Sequence, residues 1–156
     1  MIVEHTFITT LEPGECERLA TGLLEACGFR RDSAAQGGLE FRRGAKSPEK
    51  AGRPDLAPQT VRVEYDRGRV VVAASLTPAR KPSPEQRDLL LTVAGALEAV
   101  LAQGRAVDEA QEPWLAVHQR IAARVRRRDR QVNFLVGGIV AFLVAVIALL
   151  VYLGNR

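Results

Sequence analysis

Side chains able to do chemistry are sparse: the 156 residues hold two histidines and two cysteines among scattered carboxylates. Catalysis by a nucleophile needs a base beside it, and a metal needs ligands at short spacing. His5 lies in an N-terminal β-branched segment and His118 in a late helical one. Neither has a cysteine or carboxylate at a ligand spacing such as HxxxH or CxxC. Cys16 and Cys27 fall in one amphipathic helix and share a face about 16 Å apart along its axis. A disulfide needs Cα atoms within about 7 Å, so these two cannot pair with each other. They read as apolar core side chains, reduced as in a cytoplasmic protein. Glu64 and Asp66 share the polar side of one strand, where outward charge is ordinary. No phosphate-binding GxxxxGK[ST] loop occurs, nor GxGxxG, nor GxSxG. No catalytic residue, cofactor or metal is expected, and the chain is not expected to be an enzyme.

The strongest interaction signal is a run of arginines: Arg120, Arg124, Arg126, Arg127, Arg128 and Arg130, opposed only by Asp129. The chain carries +4 overall, but residues 1–119 carry −2 and residues 120–156 carry +6. The basic character therefore belongs to the C-terminal segment, and without a basic face on the domain no nucleic-acid partner is expected. Anionic phospholipids of a cytoplasmic leaflet are the expected partner, at about 1 kcal/mol per Lys or Arg near the surface.

Directly after the arginines come 20 uncharged residues, Phe134 to Leu153. At 1.5 Å per residue such a helix spans roughly 30 Å, the hydrocarbon thickness of a bilayer. Backbone in lipid must satisfy itself, which a helix does. The arginines before the run, against Arg156 alone after it, keep the N-terminal side cytoplasmic. Tyr152 falls at the far interface, where aromatic rings prefer to lie. The first residues lack the basic and apolar regions of a signal peptide. The expectation is a single-pass, tail-anchored-type protein of the inner membrane with its N-terminal domain in the cytoplasm. Gly137, Ala141 and Ala145 recur every four residues, a spacing of small side chains that lets two helices approach. A homodimer through the transmembrane helix is the corresponding expectation. The apolar stripe Trp114, Val117, Ile121 and Val125 just ahead of the span favours it.

The elements that carry these residues follow from periodicity. Ile2 to Thr10 reads as a strand. Glu12, Pro13 and Gly14 open a helix whose apolar face is Cys16, Leu19, Ala20, Leu23, Leu24 and Cys27, closed by Gly28 with Phe29 as the hydrophobic follower. Phe29–Ser33 and Gly38–Arg43 form a hairpin turning at 34–37, with Leu39 and Phe41 on one side and Glu40 and Arg42 on the other. Residues 44–58, rich in proline and glycine, read as a long loop. Gln59–Asp66 and Val70–Thr77 form the clearest hairpin, about Asp66-Arg67-Gly68-Arg69. Ser83, Pro84 and Gln86 make a capping box for a helix lined by Leu89, Leu90, Val93, Ala94, Leu97, Val100 and Leu101, ending at Gly104. A third helix starts near Asp108 or Pro113 and runs toward the apolar segment, with a break near Asn133.

The order β-α-β-β-β-β-α implies an α+β fold, an antiparallel sheet of about five strands with two helices on one face. The chain is expected to divide into a soluble domain at 1–104, a basic amphipathic juxtamembrane helix at 105–131 and an anchor at 132–156 spanning 134–153. The function expected is that of a non-catalytic interaction or regulatory module at the inner membrane surface, with a protein partner not identified. The alternative is a small-ligand or lipid-binding domain, which would hold an apolar cavity under the second helix.

Overall fold

Residues 1–32, 38–44, 57–76 and 84–154 are described by the computed structural model, with side chains for all of these but residue 129 and residues 144–154. The expected turn at 34–37, most of the 44–58 loop and the cap residue Ser83 lie outside the described residues. So do the side chains of Ala145 and Tyr152.

The described elements are β1 (Ile2–Ile8), α1 (Pro13–Ala26), β2 (Arg30–Arg31), β3 (Leu39–Arg43), β4 (Gln59–Asp66), β5 (Arg69–Leu76), α2 (Pro84–Leu101) and α3 (Val107–Gly154). The five strands form one antiparallel sheet in the order β1-β5-β4-β3-β2. The fold is thus a mixed one, an antiparallel five-stranded sheet with three helices, as the alternation predicts. Three successive hairpins carry the chain along β2, β3, β4 and β5, and β1 returns to pair beside β5.

Period-two patterning decides which face is covered. Phe7, Phe41, Val61, Val63, Val70 and Val72 point to one side and are 0–7% exposed. Leu23 and Leu24 of α1 and Leu89, Leu90 and Leu97 of α2 meet them, each wholly buried. The opposite face carries Glu4, Arg42, Arg62 and Glu64, all exposed.

Local chemistry fixes the joints. α1 ends in a Schellman motif: Phe29 N–H bonds Leu24 O at 2.9 Å and Gly28 N–H bonds Glu25 O at 2.8 Å, with Gly28 at φ +80°. Phe29 then drops into the core at 2% exposure. β4 and β5 turn through Arg67 (φ 47°) and Gly68 (φ 83°), the positive pair of a type I′ turn. Thr9 staples the end of β1 to α2. Its hydroxyl donates to Leu101 O and accepts from Leu11 N–H. Tyr65 O–H also donates to Leu11 O, at 3.0 Å.

The chain separates into two compact units, Met1–Ala122 and Ala123–Arg156. The first turns of α3 therefore belong with the sheet: Ala110, Trp114 and Ile121 are buried at 4%, 1% and 6% exposure. Part of the stripe expected to serve a dimer is thus used within the domain. α3 also runs through Asn133 without the expected break, and carries Pro113 inside it. In the second unit the described apolar side chains stand open, Phe134 at 84%, Leu135 at 64%, Ile139 at 59% and Phe142 at 68% exposure. Among the described residues no helix is long and apolar enough to cross a membrane. The run at 134–153 is described with side chains only as far as residue 143.

Two glycines should respond oppositely to alanine. At Gly68 a Cβ would sit 3.2 Å from Thr9 O in a left-handed conformation, so Gly68→Ala should lose about 1–2 kcal/mol. At Gly22, mid-helix with open space around it, Gly22→Ala should gain about 0.5–1 kcal/mol. Urea unfolding midpoints of the two variants measure both, with unchanged slope.

Candidate functional site

The domain's most concentrated chemistry gathers where β3 meets the start of α3. Arg43 follows Phe41 by two residues, so period two turns it to the covered face of the sheet. There its guanidinium carbon lies 4.5 Å from the centroid of the Trp114 ring. Its Nη2 donates to His118 Nε2 at 2.9 Å. His118, one helical turn beyond Trp114, stacks on the indole with centroids 5.1 Å apart and planes 16° apart. Phe29 closes the other side at 6.2 Å.

Among the described residues no carboxylate pairs with Arg43. Burial lowers its pKa, opposed by the nearby Cys27. A half-buried cation is costly unless compensated, and the indole face and imidazole lone pair are what compensate it here. The compensation is incomplete, since Arg43 Nη1 and Trp114 Nε1 are buried without hydrogen-bond partners. His118 accepting from Arg43 places its own proton on Nδ1 if the ring is neutral. The trio reads as a clasp that seats the start of α3.

Cys27 lies 1% exposed beside this clasp and Cys16 4% exposed under α1. Both thiols are free. Burial pushes Cys27 up to about 11 against the attraction of Arg43. Burial also raises Cys16, with the Thr9 hydrogen bond opposing it and Glu15 adding to it. Reactive cysteines have lowered pKa values, so neither suits a nucleophile.

His5 pairs with a carboxylate, its Nε2 2.7 Å from Glu98 Oε2. Both side chains are about a third exposed, at 37% and 35%. An oriented imidazole is half of a nucleophilic triad. Among the described residues no hydroxyl or thiol hydrogen-bonds to it. Among them, too, no group of three His, Cys, Asp or Glu side chains is placed to hold a metal.

Two open clefts lie on the α1–β3 side. The larger, about 890 Å³, is lined by Arg30, Arg31, Asp32, Arg42, Arg43 and Gln59 among others. Gln59 is 2% exposed and its Oε1 has no partner. Arg42 there pairs with Asp32 at 2.8 Å and Glu40 at 2.9 Å, and Arg31 with Glu17 at 2.8 Å. The smaller, about 650 Å³, lies between the start of α1 and β3–β4, with Cys16, Glu17, Arg62 and Tyr65 on its walls. α2 lines neither.

Arg120, Arg124, Arg126, Arg127, Arg128 and Arg130 all sit exposed on α3. Successive residues turn by 100°, so these six spread over roughly 200° of the helix circumference, a broad band rather than a narrow stripe. Gly137 and Ala141 are exposed one turn apart, and a Cβ at Gly137 would meet nothing within 4 Å. The sequence alone singles out Trp114 and His118 but not Arg43, although the parity of Leu39, Phe41 and Arg43 carries that signal. Compared with known proteins, the sequence matches no family model and no curated protein.

The Cys27 shift makes a pH prediction. The unfolded thiol ionises near 9 while the folded one holds its proton to about 11, so the folded state binds more protons between those values. Stability contributed by the group is complete below pH 9 and falls as pH rises through that window, by about 2–3 kcal/mol in full. Cys27→Ala should flatten the fall in a comparison of urea unfolding at pH 8 and pH 10.5. In the native protein both thiols should resist a disulfide reagent at pH 8.

Proposed function

We propose that this chain is a membrane-anchored protein whose small α+β domain is held at the cytoplasmic surface of the inner membrane as a non-catalytic interaction or regulatory module. One observation carries the reading. From Phe134 to Leu143 the helix α3 is apolar on every side, and its large side chains stay 53–84% exposed with no protein cover. A helix apolar all round needs an apolar surrounding. The sequence continues uncharged to Leu153, long enough for lipid to be that surrounding. The arginine band supports the orientation, since positive flanks stay cytoplasmic, and it suits anionic phospholipid headgroups. Gly137, Ala141 and Ala145 would let two such helices pack closely, giving a dimer in the membrane.

The sparse chemistry of the domain supports the non-catalytic part. A buried clasp, two inert thiols and an imidazole–carboxylate pair hold structure together without presenting a nucleophile. The partner of such a module would be a protein at the same surface.

The alternative, a ligand-binding domain, has one specific observation in its favour. The larger cleft sets four arginines against one aspartate and contains the unpartnered Gln59 Oε1. Its ligand would be a small anion with a hydrogen-bond donor, not the apolar molecule expected under α2.

After alkaline carbonate extraction of cells, the full chain should stay in the membrane pellet. Phe142→Asp should release a large fraction, because an aspartate near mid-bilayer costs about 3–4 kcal/mol of insertion relative to phenylalanine. A reporter fused after Arg156 should appear on the far side of the membrane. Wild-type release by carbonate would sink the anchor, and a cytoplasmic reporter would reverse the orientation. For the cleft, 10-fold more inorganic phosphate should raise the unfolding temperature of the wild type and leave Arg30→Ala less affected. Equal shifts in both would remove the ligand reading.

A further inference from the structure

The two edges of the sheet are built differently. β2 is two residues long and both are arginine, which blunts that edge by shortness and charge. β1 is seven residues long, without proline or lysine, and its register against β5 runs unbroken from Ile2–Ser75 to Ile8–Arg69. It is an edge that invites another strand.

The hydrogen bonds of β1 fix which groups point outward. Met1 and Leu76 exchange both main-chain bonds, at 3.1 and 3.0 Å, and Thr9 N–H bonds Gly68 O at 2.8 Å. Antiparallel pairs alternate between bonded and non-bonded, so the odd-numbered residues of β1 spend their main-chain groups on β5. The N–H and C=O groups of Ile2, Glu4, Thr6 and Ile8 therefore face away from the sheet. The side chains of the same four residues lie exposed on its open face, Ile2 at 67% and Ile8 at 78%.

We infer that β1 pairs with β1 of a second copy of this chain, antiparallel about a two-fold axis at His5. The pattern is self-complementary in that one register. Ile2 meets the partner's Ile8 and Ile8 meets the partner's Ile2, so the two most exposed aliphatic side chains of β1 cover one another. Glu4 faces the partner's Thr6, whose hydroxyl donates to the carboxylate. All four outward-facing residues join bonded pairs, giving about eight new main-chain hydrogen bonds. Shifting the axis to Glu4 sets it against the partner's Glu4, a like-charge pair, and strands Ile8. Shifting it to Thr6 puts Glu4 against the partner's Ile8 and strands Ile2.

Two neighbouring features extend the surface. Val71 and Ala73 of β5 stand opposite Thr6 and Glu4 on the open face and prolong the apolar ground beside Ile2 and Ile8. On α2, Leu91 (44% exposed) and Gly95, around which a Cβ would meet nothing within 4 Å, lie on the same side as Glu98. Glu98 reaches His5 of β1, so this stripe borders the same edge and leaves room for the partner's α2. The pairing makes a continuous sheet from two domains, and it is independent of any contact between the apolar helices.

Cysteine cross-linking of the full chain in membranes or detergent tests the register. At a two-fold axis on His5 the paired Cα atoms are about 4.5 Å apart, within disulfide reach. His5→Cys should therefore give a disulfide-linked homodimer under mild oxidation. Glu4→Cys and Thr6→Cys should each fail alone but cross-link when the two variants are mixed. Thr6→Pro removes only an outward N–H and spares every bond to β5, so placed in the His5→Cys variant it should leave the circular dichroism unchanged while abolishing the cross-link. Phe142→Asp, which addresses the membrane reading, should leave the His5→Cys dimer intact in detergent. No cross-link at position 5, or equal self-cross-linking at 4, 5 and 6, would overturn the proposal. So would a position-5 cross-link that Thr6→Pro leaves intact.

Discussion

Trp114 is the largest fully buried side chain of the protein, and it comes from the helix that goes on to carry the exposed apolar run. The domain cannot complete its core without that helix. Phe29 leans on the indole from the end of α1, Arg43 lies over its face from β3, and His118 stacks on it from one turn further along. Three elements far apart in sequence thus converge on one ring. Truncating such a ring typically costs 3–5 kcal/mol, a large part of the 5–15 kcal/mol that keeps a small domain folded. The segment 105–131 is therefore structural at its beginning and basic only further on.

The clasp also shows how the domain tolerates a cation indoors. Arginine is weakly hydrated and planar, so an aromatic face and a ring nitrogen replace part of its water. The unpartnered Nη1 and Nε1 record the remaining cost. Lysine, a compact and strongly hydrated charge, could not make the same arrangement. Position 43 thus uses the shape of arginine as much as its charge.

The element order and the β4–β5 hairpin were legible because each rests on local rules, whereas the return of β1 beside β5 was not. Alternation in Gln59–Asp66, the positive-φ turn at Arg67-Gly68 and the Gly28-Phe29 helix stop need only neighbours in sequence. The thiols were legible as core for the same reason. What sequence could not supply was the pairing of distant surfaces. Arg43 reads as one more charge in LEFRR until Trp114 and His118 are brought beside it. The expected break near Asn133 does not occur, because asparagine costs a helix interior only some tenths of a kcal/mol relative to alanine, and α3 continues. The cavity sought under α2 failed on packing: its inward residues, from Leu89 to Leu101, mesh with the sheet to 0–9% exposure. The open space lies instead where charged side chains border α1 and β3.

The same partition runs through the whole chain. Charge, burial and edge chemistry are each sorted by segment rather than averaged. The domain is mildly acidic and closes one face and one edge of its sheet. The arginine band holds the positive charge, and the run beyond it holds the exposed aliphatics. A soluble protein would be expected to spread its surface charge and to blunt both edges, because exposed apolar patches and bare strands both promote association. Here one edge is blunted by two arginines and the other is left bare with isoleucines at both ends. Leaving a single edge bare limits growth: a pair joined edge to edge by a two-fold axis consumes both bare strands and presents only arginine-tipped ones, so association stops at two.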